Sequence, residues 1–112
     1  MTTVREVLIA ARAKIAGPDA ITFAGLAVND MNIVCDPRSE GAVAWNGEGA
    51  VFSMTGDDPY KIGYGEAMGT LAALHALDDQ VGGIRVGKVA AGMTQDGILA
   101  IFDRAIAAQG AA

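Results

Sequence analysis

The stretch Asp36-Pro37-Arg38-Ser39-Glu40-Gly41-Ala42-Val43-Ala44-Trp45-Asn46-Gly47-Glu48-Gly49-Ala50-Val51-Phe52 decides how the middle of the chain folds. As a sequence it reads as the opening of a helix. Asp36 suits a cap for exposed N–H groups, and Pro37 suits a first helical position, where a missing N–H leaves nothing unsatisfied. Ala42, Val43, Trp45, Gly49, Ala50 and Phe52 then offer apolar contacts, with Trp45 expected at a helical position in the core. Gly41, Gly47 and Gly49 each weaken helix propensity by about 1 kcal/mol relative to Ala. Small residues at 42, 49 and 50 permit close helix contact in return.

On the N-terminal side, Thr3 with Glu6 forms a capping-box pattern. Val4, Leu8, Ala11 and Ile15 recur at helical spacing with Val7 beside them, while Arg5, Arg12 and Lys14 lie off that stripe. Gly17-Pro18 ends this helix near Ala16. Ile21, Thr22, Phe23, Val28, Ile33 and Val34 favour extended structure, and Asn29-Asp30 separates two apolar runs. These residues predict a short β-hairpin over 22–28 and 31–35, which must pack on the helices because an isolated hairpin is marginal.

On the C-terminal side, residues 53–64 read as a loop. A third helix is expected over 65–77, with Met68, Leu71, Ala72 and His75 along one stripe. Residues 78–93 are rich in glycine, and Val81, Ile84, Val86 and Val89 leave room for a short extended piece. Thr94 caps a last helix, where Met93 and Ile98 suit a hydrophobic staple and Ile98, Phe102, Ala105 and Ile106 form the inner stripe. The matched stripes of the first and last helices predict that Val7, Leu8 and Ile15 pack with Ile98, Phe102 and Ile106. The expected fold is α+β and mainly helical, with about four helices and one short hairpin after the first helix. It forms a single domain over 1–112.

Composition fits this reading. The chain has 112 residues, 52% of them hydrophobic, enough for one modest core without disulfides. One Cys cannot form an internal bridge, so Cys35 is expected as a reduced thiol in a cytoplasmic setting. Eight basic against thirteen acidic side chains give a net charge of -5, spread along the whole chain. No basic patch is available to neutralise phosphates, which disfavours nucleic acid. No apolar run approaches the ~20 residues of a membrane span, and no secretory leader pattern opens the chain.

The pattern Asp36-Pro37-x-Ser39-x-x-Ala42-Val43-x-Trp45-x-x-x-Gly49-Ala50-Val51 resembles the central signature of a family of small uncharacterised domains. These occur in actinobacterial and alphaproteobacterial genomes and in their phages and prophages. The resemblance extends to Val4-Arg5-Glu6-Val7-Leu8-x-x-Ala11-Arg12 and to Ile98-Leu99-Ala100-Ile101-Phe102-Asp103-Arg104-Ala105-Ile106. It implies a phage or prophage link and no established activity. Family members often carry Cys after the Trp and His after the Thr that caps the last helix. This chain has Asn46 and Gln95 there, which implies that any activity using that Cys and His is absent. Residues 53–93 match least and are expected to be specific to this lineage.

No catalytic constellation stands out. Gly82 with Gly87-Lys88 has P-loop spacing, but Val89 replaces the Ser or Thr that would hold magnesium. Gly63-x-Gly65-x-x-x-Gly69 misses the dinucleotide pattern by one residue. His75 with Asp78 and Asp79 could present one nitrogen and two oxygens to a metal, but a zinc site usually takes more N or S ligands. His75 on an apolar stripe is expected to be partly buried and hydrogen-bonded. Cys35 and His75 could make a nucleophile and base, though nothing in the sequence brings them together. A small apolar Cys closing a strand is the simpler reading. No cofactor or metal is expected.

The preferred functional surface is the 57–64 loop, where Asp57, Asp58, Tyr60, Ile62 and Tyr64 combine carboxylates with interface-prone side chains, together with Ile84. The expected function is a small, acidic, non-enzymatic protein-interaction or accessory protein that binds a protein partner or itself, a homodimer being the simplest assembly. A small enzyme or ligand-binding protein using His75 and nearby carboxylates is the alternative, and a virion or assembly component is a third.

Overall fold

The computed structural model describes residues 3–57, 68–83 and 93–109. Helix α1 spans Val4–Ile15 and opens where the capping pattern places it. The Thr3 hydroxyl accepts the Glu6 N–H at 3.1 Å and donates to the Glu6 carboxylate at 3.1 Å. Val7, Leu8, Ala11 and Ile15 are buried, and the helix ends on Ala16 before Gly17-Pro18. Strand β1 is Ala27–Asn29 and strand β2 is Ala42–Trp45, followed directly by helix α2, Gly47–Thr55. Helices α3, Met68–Asp79, and α4, Gln95–Ala108, complete the described elements. The fold is mainly helical α+β with one two-stranded antiparallel sheet.

One apolar core joins all four helices to the inner face of the sheet. Val7, Leu8 and Ile15 share it with Ile98 and Phe102, and Ile106 packs at its edge. The matched stripes of the terminal helices therefore do meet. Arg12 and Asp103 tie the same two helices at the surface, 2.6 Å apart. Both remain partly exposed, so this pair contributes at most about 1 kcal/mol. Thr94 caps α4 through the Gly97 N–H at 3.2 Å.

The hairpin differs in its partners from the sequence expectation. Residue 28 does meet residue 34 in an antiparallel bridge, closed by a turn in which the Asn29 side chain accepts the Met31 and Ile33 N–H groups at 2.9 and 3.0 Å. Asn32 completes that turn at φ 60°, a conformation Asn tolerates better than most residues. The principal partner of β1, however, is β2, with Ala27 opposite Trp45, Val28 opposite Ala44 and Asn29 opposite Ala42. The register shift leaves Val43 as an extra residue, and it is half-exposed.

Residues 36–45 are not helical, which corrects the helix start at Asp36-Pro37. Asp36 instead builds a local turn. Its carboxylate accepts the Arg38 N–H at 2.8 Å, and its carbonyl accepts the Ser39 N–H at 2.9 Å. The physical reason is that Asp followed by Pro starts a turn as readily as a helix. Trp45 is buried as expected, but in a strand. The helix begins just after it, where Asn46 caps α2 by accepting the Gly49 N–H at 2.6 Å.

The buried face of α3 is also corrected. Thr70, Ala73, Leu74, Ala76 and Leu77 face the core, whereas Ala72 and His75 are exposed. The side chain of Met68 lies outside the described residues.

Candidate functional site

Several hydrogen bonds converge on the junction between β2 and α2. The Trp45 indole N–H donates to the Pro37 carbonyl at 2.9 Å, and Pro37 is itself fully buried. The Trp45 main chain exchanges bonds with the preceding loop, its N–H donating to Ala20 O and its carbonyl accepting from Thr22 N–H, both at 3.0 Å. Lys14 of α1 stands 4.6 Å from the centre of the Trp45 ring, within cation–π range. The Asn46 N–H donates to Leu26 O at 3.1 Å, and the Asn46 carbonyl accepts the Ala50 N–H at 2.9 Å. Gly49 is required by close approach: a Cβ there would lie 1.8 Å from the Leu26 carbonyl oxygen. Gly47 faces Phe102 and Ile98 of α4.

The two positions at which the resemblance departs are both in use as structural ties. Asn46 is the α2 cap. Gln95 sits at the start of α4 and donates through its side-chain amide to Ile15 O at 2.7 Å and Gly17 O at 2.8 Å. It thereby satisfies the Ile15 carbonyl, which α1 itself leaves open, and shares the Gly17 carbonyl with the Ala20 N–H at 3.2 Å. Asn46 followed by Glu48 in the first turn was a readable start signal. The Gln95 tie had none, because its partners lie about eighty positions away in the chain.

Of the residues nominated from sequence, Asp57, His75, Asp78, Asp79 and Cys35 lie among the described residues. Asp57 lies just past α2 and accepts a hydrogen bond from the buried Thr70 hydroxyl of α3, so it straps two helices together. Asp58, Tyr60, Ile62, Tyr64 and Ile84 lie outside the described residues, as do Gly87 and Lys88 of the P-loop-like spacing. His75 is exposed on α3, so the partly buried, hydrogen-bonded histidine expected from its stripe is corrected. Asp78 and Asp79 end that helix. Among the described residues no group of three or more His, Cys, Asp or Glu is arranged to hold a metal. Cys35 is half-buried at the rim of the core, and its N–H donates to Ala27 O at 3.0 Å. The Arg38 guanidinium hydrogen-bonded to Asp36, together with the Arg38 N–H, lowers that carboxyl from 3.8 to about 2. This pair stiffens the turn.

One surface was missed from sequence. Among the described residues, Phe23, Met31, Ile33, Val34 and Val43 are exposed large apolar side chains between positions 23 and 43, and Met31 is 75% exposed. The Val34 side chain lies over Gly25, where a Cβ would meet it at 3.1 Å. The Asn29 N–H donates to Ile33 O at 3.0 Å and the Cys35 N–H to Ala27 O at 3.0 Å. In that antiparallel pattern the N–H and C=O of the intervening Val34 point away from β1. A short strand edge with apolar flanks results. Comparison with family models, with characterised proteins and with solved structures gives no match to this chain.

Proposed function

We propose that this protein is a non-enzymatic interaction domain that receives an extended, alternately apolar segment of a protein partner along the Ile33–Cys35 edge. The observation that carries the reading is the outward-facing main chain of Val34 beside the exposed side chains of Met31 and Ile33. An open strand edge is a ready template for another strand. Main-chain bonds supply affinity, and flanking apolar side chains supply selectivity. Asp30 is the sole charged residue between positions 20 and 35, which leaves that stretch suited to an uncharged ligand. The phage or prophage link implied by the resemblance supports a host or phage protein as the source of that segment. A second copy of this chain is one such source.

A displayed random-peptide library selected on the wild type and on the Ile33→Asp/Val34→Asp double variant tests this. Enriched peptides should alternate apolar residues, lose at least about tenfold in affinity on the double variant, and slow exchange of the Val34 amide. Peptides that bind both proteins equally, or that protect other amides, contradict the reading. Light scattering of the wild type shows whether a second copy occupies the edge.

A further inference from the structure

We infer that Asn46-Gly47 is a latent deamidation site held shut by the fold, so that loss of its amide marks chains in which α2 has opened from the hairpin. It is the one Asn-Gly pair among the three asparagines of the chain. Glycine on the C-terminal side leaves the next main-chain nitrogen unhindered. In an open chain that nitrogen attacks Cγ of Asn46. The Gly47 N–H proton is lost, a bond forms from N to Cγ, the bond from Cγ to Nδ2 breaks, and ammonia leaves. Water then opens the five-membered succinimide. Cleavage between Cγ and N leaves an ordinary aspartate at position 46. Cleavage at the other carbonyl gives an isoaspartyl linkage, in which the main chain runs through Cβ and Cγ.

The folded geometry opposes each movement this needs. Ring closure requires Cβ and the Gly47 nitrogen to be nearly eclipsed about the Cα–C bond of Asn46, and reacting atoms must meet in that orientation. The extended ψ of 179° keeps them staggered. Rotation about that bond must detach the Asn46 carbonyl from the Ala50 N–H, where it sits at 2.9 Å. The carboxamide oxygen is engaged by the Gly49 N–H at 2.6 Å, and the Asn46 N–H by Leu26 O at 3.1 Å. Gly47 is also packed against Phe102 and Ile98, so α2 cannot swing without leaving α4. The isoaspartyl product would lengthen the main chain where Gly49 already touches the Leu26 carbonyl. A chain that has converted this way cannot restore the junction, which makes the conversion an irreversible mark of opening.

The test is peptide mass spectrometry of the full chain, incubated at mildly alkaline pH with and without denaturant. Trypsin yields the segment Ser39–Lys61, in which Asn46 is the single asparagine. In denaturant Asn46 should convert, with isoaspartate as the main product. In the native state conversion should be at least about a hundredfold slower, since opening of a core-packed segment is rare. Ile98→Val, which keeps the Cγ2 facing Gly47 but removes Cδ1 from the buried core that holds α4 on α2, should speed native conversion about threefold to tenfold. The inference is overturned by no conversion in denaturant, by a native rate within about tenfold of the denatured one, or by an Ile98→Val rate equal to that of the wild type.

Discussion

Residues 36–50 and residues 23–35 lie next to each other in the chain and on the same small sheet, yet they dispose of their polar groups in opposite ways. In the first, Pro37 O, Trp45 Nε1, Asn46 N, O and Oδ1, and Gly49 N all have partners within the fold. In the second, the main chain of Val34 faces outward, with Met31 and Ile33 exposed beside it. The more motif-like segment is therefore the scaffold. Within it, Trp45 is a strand residue that is buried and Gly49 is a helix residue with no room for a side chain. The segment with no motif leaves a strand edge and its apolar flanks uncovered among the described residues.

The largest expected effect that sharpens this contrast is at Gly49. Gly49→Ala drives a Cβ into the Leu26 carbonyl, which is backbone and has little room to move. It should destabilise the protein by about 3 kcal/mol or more, read from the midpoint of a urea titration. A loss below about 1 kcal/mol would mean the junction relaxes easily. Trp45→Phe comes next. It keeps most of the ring volume but leaves the buried Pro37 carbonyl without its donor, at a cost of about 1–3 kcal/mol. Ile33→Ser with Val34→Ser, by contrast, should change stability by no more than about 0.5 kcal/mol, because both side chains are already exposed. A large loss there would show that the edge belongs to the scaffold after all.

The smallest effect is at Asp36. Its folded pKa is lowered by Arg38 to about 2, so its contribution is complete above the ordinary carboxylate range and is lost as pH falls from there toward 2. Urea titrations across that window should show a shallower acid slope for Asp36→Asn than for the wild type. Equal slopes would mean that the turn does not hold the carboxylate in solution. The group is about one-third exposed, which keeps the difference modest.

The parts of the fold legible in the sequence were those specified locally. Thr3 with Glu6, Gly17-Pro18 and Thr94 act within a turn of the residues they serve, and each stands where its type and spacing placed it. The path of 36–45 was not legible. Asp36-Pro37 signals a turn and a helix start alike, and Ala42-Val43-Ala44-Trp45 becomes a strand because of a partner about fifteen positions earlier. The phase of α3 failed for another reason: apolar residues occur on every side of it, so periodicity could not choose between the face of Leu71 and Ala72 and that of Ala73, Leu74 and Leu77. The open edge was hidden because Met31, Ile33 and Val34 look like core residues. Only their pairing with β1 shows which way the main chain of Val34 faces.

Amide hydrogen exchange, resolved residue by residue in the monomeric wild type, tests the division between scaffold and edge most directly. The N–H groups of Trp45, Asn46, Gly49 and Ala50 should exchange only through large-scale unfolding, whereas that of Val34 should exchange close to the unprotected rate. Equal protection at Val34 and at Trp45–Ala50, in either direction, would contradict the account.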